Sequence, residues 1–342
     1  MGRPVYFRHP SSEEHQTGAH PEQPARIPAI EDELERHDWL GFERAESPPA
    51  TRAQLEVVHT RRHVNGIEEL CAAGGGHVDM DTVVSERSFE AALHAAGGAV
   101  TMVDRLLDGD APVGFSGHRP PGHHAERERA MGFCLFDNVA VAAAHALDAR
   151  GLSRVAIVDW DVHHGNGTDS IFAESDRVLF FSIHQFPLYP GTGTAEEVGR
   201  GAGEGFTVNL PVPAGSGDET FVSLVEHVVV PVTREFAPEL LLVSAGFDAH
   251  ASDPLASCRV TERGYAAMTA SVRRLAAELG VPVGVVLEGG YDLTALARSV
   301  AATLAVLGAH DVPEAVEVPV HAEARAAAAR MADRWPVLSA SA

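Results

Sequence analysis

The stretch RVAIVDWDVHHGNGT, residues 154–168, decides the fold. Its first half is a short run of apolar residues with no polar face, the pattern of a strand buried on both sides within a parallel sheet. Its second half turns abruptly polar, so Asp159, Asp161, His163 and His164 fall where the chain leaves that strand. The same junction recurs downstream. RVLFFSIH (177–184) ends in His184, ELLLVSAGF (239–247) is followed by Asp248, and VPVGVVLEGGY (281–291) ends in Tyr291. Segments 88–107, 137–150, 219–236, 262–279 and 293–307 lie around these runs and read as helices. Strand alternating with helix predicts a doubly wound α/β unit with a mostly parallel sheet. We expect one domain over residues 1–310 and a C-terminal segment, 311–342, whose HAEARAAAARMADRW (321–335) forms one more helix on that domain. Ligands of open α/β sheets bind outside the carboxyl ends of the strands, so the polar residues above predict one shared site.

Composition narrows the function. With 45% apolar and 22% charged residues, the 342-residue chain has globular rather than disordered character. Arg is its only strongly basic residue, since Lys is absent, and 26 basic against 48 acidic residues leave a net charge of −22. That balance argues against nucleic acid as a partner and favours cationic ligands. A coding bias or salt adaptation accounts for the missing Lys. Cys71, Cys134 and Cys258 have no paired spacing, which predicts neither a disulfide framework nor a Cys-based zinc knuckle and fits a reducing cytoplasm. No apolar run of about 18 residues occurs, so no membrane span or secretory leader is expected.

The chemistry lies in the junctions. Asp161 and His163 are two apart, so in an extended segment they project to one side and can share an ion. Asp248 supplies a third ligand, and an Asp₂His set leaves positions open for water and substrate, as a catalytic zinc requires. Upstream, RPPGHHAERERAMGFC (119–134) places His123 and His124 side by side on a Pro/Gly loop, where imidazole can serve as general acid and base.

Taken together, GHH, DWDVHHGNG, SIH, SAGFDAH with SDPL, and LEGGY resemble the histone deacetylase and acetylpolyamine amidohydrolase superfamily over roughly residues 4–310, with HPEQPARI (20–27) fitting as well. Asn166, where class I members carry Asp, makes the chain similar to prokaryotic class II histone deacetylase-like amidohydrolases. The resemblance implies an arginase-type α/β fold and one zinc ion held by Asp161, His163 and Asp248. It makes His124 the general base and acid, His123 its electrostatic companion, Asp159 and Asn166 the residues that orient the two imidazoles, and Tyr291 the donor to the oxyanion. Phe133 and Tyr189 would wall an acyl-lysine channel with Gly132, and Arg26 would line an inner cavity. A structural K⁺ or Na⁺ would sit at Asp159, Asp161, His163, Ser182 and the Ile183 carbonyl, while His164 and His184 receive structural roles only.

The expected reaction is hydrolysis of an N-acetyl or N-acyl amide to acetate and a free amine. Ureohydrolases of the same fold need carboxylates where this chain has Gly165 and Gly246, so a dimetal site lacks ligands. A non-catalytic acetyl-ligand binder is the other rival, and retention of the whole residue set argues against it. Polyamine-selective relatives carry a Glu gatekeeper where this chain has Leu255, which favours an acetylated lysine peptide or small N-acyl amine over acetylpolyamines.

Overall fold

In a computed structural model describing residues 2–340, eight parallel strands form one sheet and helices cover both faces. The strands are β1 (Val5–Arg8), β2 (Glu43–Glu46), β5 (Val113–Ser116), β6 (Val155–Asp159), β7 (Val178–Gln185), β8 (Thr207–Val212), β9 (Leu240–Ala245) and β10 (Val283–Leu287). A separate antiparallel ribbon joins β3 (Gly75–His77) to β4 (Val83–Ser85). The order across the sheet is β2-β1-β5-β10-β9-β6-β7-β8. The four apolar runs thus become four adjacent central strands, β10, β9, β6 and β7.

Each central strand is buried along its whole length because successive residues face opposite helical layers. Ala156 and Val158 join Leu241 and Val243 on one face, while Val155 and Ile157 join Leu240 and Leu242 on the other. The first face is covered by helices Arg26–Arg36, Glu262–Leu279 and Leu293–Leu307, through residues such as Ile30, Met268 and Val300. Arg61–Ala72, Ser88–Leu107 and Asn138–Asp148 cover the second. Aligned register brings Asp159 level with Ser182 on β7 and Ser244 on β9, so polar residues gather at one end of the sheet.

Three sequence expectations change in detail. The expected helix over 219–236 is interrupted by a π turn at Val225–Val229, flanked by α-helical Asp218–Leu224 and Val230–Phe236. Pro231 has no N–H to give the preceding turn, and the wider turn absorbs that loss. The last apolar run stops being a strand at Leu287, because Glu288, Gly289 and Gly290 leave the sheet to carry Tyr291. The C-terminal helix ends at Met331 rather than 335.

Beyond Met331, Trp335 remains 5% exposed, with its ring edge on Phe206 and its indole N–H donating to the Gly205 carbonyl at 3.2 Å. The helix itself buries Ala324, Ala327 and Ala328. No helix among the described residues is long and apolar enough to cross a membrane. Trp335→Ala should lower unfolding stability by about 3 kcal/mol in urea titrations, whereas Val316→Ala, 71% exposed, should change it by less than about 0.5 kcal/mol. Equal small effects would show that the C-terminal segment contributes nothing to the folded core.

Candidate active site

Asp159 closes β6, and the turn behind it is organised by its own carboxylates. Asp159 Oδ1 accepts the Asp161 N–H at 2.9 Å, and Asp161 Oδ1 accepts the His163 N–H at 2.9 Å. Asp248, three residues past β9, accepts the Val162 N–H at 2.9 Å. Asp161 Oδ2 accepts the Gly289 N–H at 2.9 Å from the loop after β10. Loops from three strands are thereby tied together through carboxylate-to-amide bonds.

His163 Nδ1 lies 3.1 Å from both Asp161 Oδ1 and Asp248 Oδ2. The donor atoms of Asp161, His163 and Asp248 all fall within 4.8 Å of one another, and all three residues are buried. Burial alone would lower the His163 pKa, but hydrogen bonds to the two carboxylates hold it up at about 10. Burial and Asp161 raise Asp248. Two carboxylates and an imidazole crowded in this way form a donor set suited to a divalent cation.

Two glycines beside the donor set have no room for a side chain. A Cβ on Gly246 would come within 2.1 Å of Asp161 Oδ2, and one on Gly165 within 2.3 Å of Asp159 Oδ2. Both glycines pack against buried carboxylates of this turn, so neither position carries a ligand side chain.

The adjacent histidines are oriented differently. His123 Nδ1 bonds Asp159 Oδ2 at 2.9 Å; burial disfavours its cation, but Asp161 and Asp159 outweigh burial and raise its pKa well above the ordinary value. His124 Nδ1 faces Asn166 Oδ1 at 2.8 Å. Asn166 Nδ2 donates to Glu126 Oε1 at 2.9 Å, a carboxylate that only accepts, and this fixes the amide with its oxygen toward His124. The proton therefore sits on His124 Nδ1, leaving the Nε2 lone pair available. Burial and the neighbouring His123 and His163 lower the His124 pKa well below ordinary.

Tyr291 is buried, its N–H donates to Asp253 Oδ2 at 2.7 Å, and burial raises its phenol, keeping the hydroxyl protonated. Phe133 meets its ring edge-on at 5.6 Å, and Tyr189 meets His124 at 5.2 Å. These four, with His163, Gly132, Leu255 and Asp81, line a cavity of about 200 Å³. Gly132 has a φ of +56°, and a Cβ there would lie 2.3 Å from the His124 ring, so only glycine fits.

Arg26 does not line this cavity. Its guanidinium lies 5.1 Å from the Tyr291 ring centre and donates to the carbonyls of Gly290 (2.7 Å) and Glu288 (2.5 Å). Ser182 stands beside Asp159 across the sheet, followed by Ile183 on the same strand. His164 holds Thr192 Oγ1 at 2.8 Å and Asp169 Oδ2 at 3.1 Å, and His184 pairs with the Gly193 carbonyl at 2.8 Å, so both brace the loop that follows Tyr189. Sequence reasoning passed over Asp81, Glu22, Arg119, Asp253 and Glu288. Glu22, Arg119, Asp253 and Glu288 lie within HPEQPARI, RPPGHH, SDPL and LEGGY, which marked the segments but not the roles of these residues, and Asp81 stands in Asp79-Met80-Asp81.

The chain matches the histone deacetylase domain over residues 20–307. It is 42% identical over 308 residues to the chloroplastic histone deacetylase 10 of Oryza sativa subsp. japonica, covering 84% of this chain and 70% of that protein. It is also 42% identical over 248 residues to the histone deacetylase-like amidohydrolase of Pseudomonas aeruginosa, covering 72% and 65%. The crystal structure of the HDA15 HD domain superposes with a TM-score of 0.92 at 36% identity, covering 99% of this chain and 97% of that one. The fold is therefore the arginase/deacetylase α/β fold, and the chain belongs to the histone deacetylase family. It is a hydrolytic enzyme acting on amides.

The crowding at Gly246 yields a test. Gly246→Ala should displace the Asp161 carboxylate and reduce metal content from about one ion per chain to a small fraction, measured by elemental analysis after chelator-free purification. Metal content equal to wild type would show that the donor set does not depend on this contact.

Proposed function

We propose that this enzyme is a zinc-dependent N-acyl amide hydrolase whose better substrates are acetyl-lysine peptides or related N-acyl amines. The observation that carries the reading is that His124, Tyr291 and His163 line one cavity with Phe133, Tyr189 and Leu255, and that His163 reaches the Asp161 and Asp248 carboxylates behind it. When bound by those three residues, zinc supplies Lewis acidity at the acyl carbonyl. His124 Nε2 takes a proton from the attacking water, and Asn166 preserves the required tautomer. His123, held cationic by Asp159 and Asp161, offsets the negative charge that develops beside it. Tyr291 donates its hydroxyl to the oxyanion. His124 then passes its proton to the departing nitrogen, so amide and water become acetate and an amine. A structural K⁺ or Na⁺ contacting Asp159, Asp161, His163, Ser182 and the Ile183 carbonyl belongs to the same reading.

Phe133, Tyr189 and Leu255 suit a methylene chain, and an unpaired ammonium against Leu255 would be costly. Asp81 favours a second reading, because its carboxylate lines the same cavity. It can accept a peptide N–H or pair with the ammonium of an acetylpolyamine. Burial, together with its hydrogen bond to Asp79, raises the pKa of Asp81.

Tyr291→Phe should lower kcat by about 10²–10³ with KM largely kept; unchanged turnover would remove Tyr291 from the mechanism, and a wild type that hydrolyses no acyl amide would remove the enzyme reading itself. In kcat/KM comparisons, wild type should prefer an acetyl-lysine peptide to acetylspermidine, and Leu255→Glu should shift preference toward the polyamine. A tenfold wild-type preference for acetylspermidine would make Asp81, rather than Leu255, the selector.

A further inference from the structure

The loop bearing the two histidines has an unusual shortage of backbone donors. Pro120 and Pro121 have no N–H, so Gly122 and His123 provide the next amides, and neither belongs to a strand or helix. One atom receives both. Glu288 Oε2 accepts the Gly122 N–H at 2.6 Å and the His123 N–H at 3.1 Å, while Oε1 accepts the Ser244 hydroxyl at 2.7 Å. The Glu288 side chain is fully buried, and no step of the proposed reaction uses it.

The backbone of Glu288 leads elsewhere. Its carbonyl is held by Arg26, the next residue donates to Asp161 Oδ2, and the third residue along is Tyr291. Glu288 thus ties the loop presenting His124, through hydrogen bonds, to Tyr291 three residues further along its own chain. Ser244, at the end of β9, fixes the carboxylate from below.

We propose that Glu288 is a positioning residue that sets His123 and His124 relative to Tyr291 through the Gly122 and His123 amides. The role rests on the functional reading above and extends it to a residue outside the cavity. Deleting the carboxylate leaves two buried amides without an acceptor and frees the Pro-Pro-Gly loop to shift, and a displacement of about 1 Å costs on the order of 10²-fold in rate. Gln retains an acceptor oxygen for both amides and can donate to Ser244, so geometry survives while the charge is removed. A role through charge would fail equally in both variants.

The test compares wild type, Glu288→Ala, Glu288→Gln and Ser244→Ala in steady-state hydrolysis of an acetyl-lysine peptide, with metal content and the Gly122 amide resonance in [¹⁵N]glycine-labelled protein as independent readouts. Glu288→Ala should lower kcat about 10²-fold with KM within threefold and metal content unchanged, and should move the Gly122 amide proton upfield from its carboxylate-bonded position. Glu288→Gln should recover kcat to within about fivefold of wild type. Should the Ala variant not fold, Ser244→Ala still loosens the carboxylate, and kcat should fall severalfold with the same amide shift. The role is overturned if Gln is as impaired as Ala, or if the resonance moves while kcat stays within threefold. It is also overturned if Ser244→Ala leaves both kcat and the resonance unchanged. A wild type inactive on every acyl amide overturns the functional reading together with this role, whereas an active wild type with indifferent variants overturns the role alone.

Discussion

Five carboxylates buried at one end of a parallel sheet are the constraint to which the surrounding structure responds. Asp159, Asp161, Asp248, Asp253 and Glu288 are all largely removed from water. Two like charges at 4 Å repel by about 4 kcal/mol at the effective dielectric of a protein site. Backbone amides supply the first compensation, and they come from other loops. Val162 serves Asp248, Gly289 serves Asp161, Gly122 and His123 serve Glu288, and Tyr291 serves Asp253. Each bond that stabilises an anion also pins the loop carrying a neighbouring functional group, so solving the electrostatic problem assembles the site.

Crowding also separates the protonation of groups that are chemically alike. His123 and His124 are adjacent in sequence, with rings 4.0 Å apart, yet one is raised and the other lowered. The difference lies in their partners: two aspartates for His123 and a neutral amide for His124. Asp159 itself is lifted by burial to about 6, less than burial alone would impose because His123 stands against it. Two like groups driven apart in this way can take different roles, His124 moving protons while His123 carries positive charge beside it.

The central sheet was legible because strands buried on both faces must be apolar throughout, and four such runs ended in polar residues. The outer strands were not. β1, β2 and β5 have four residues each, and β8 carries Pro211, so none shows a sustained pattern. Residues that reach into the cavity stood out through chemistry and motif, from Asp161 to Tyr291. The Glu22 carboxylate takes the side chains of Arg119 and Arg26, whereas Arg119, Asp253 and Glu288 act on backbone atoms far away in sequence, 166 residues in the case of Glu288 and Gly122. Such work leaves no spacing to read. Arg26 was noticed through HPEQPARI, while its grip on the carbonyls of the loop before Tyr291, more than 260 residues on, had no spacing to announce it.

The missing Lys gains a different meaning in the interior. On the surface, Arg in place of Lys alters little, and coding bias is explanation enough. Arg119 is fully buried and uses all five donors, bonding both carboxylate oxygens and the carbonyl of Glu22 together with the carbonyls of Ser12 and His15. Arg26 shares that same Glu22 at 3.2 Å while spanning two carbonyls of the loop before Tyr291. A Lys ammonium has three donors on a point charge and cannot bridge sites so far apart. Two guanidiniums on one carboxylate leave a net positive charge behind the Tyr291 ring, opposing the aspartates in front of it, and Arg26 works against the burial that raises the phenol. Here geometry, not codon usage, demands arginine, and the same buried pair that anchors the helix Arg26–Arg36 to the sheet end keeps the tyrosine loop from relaxing away from its anionic neighbours.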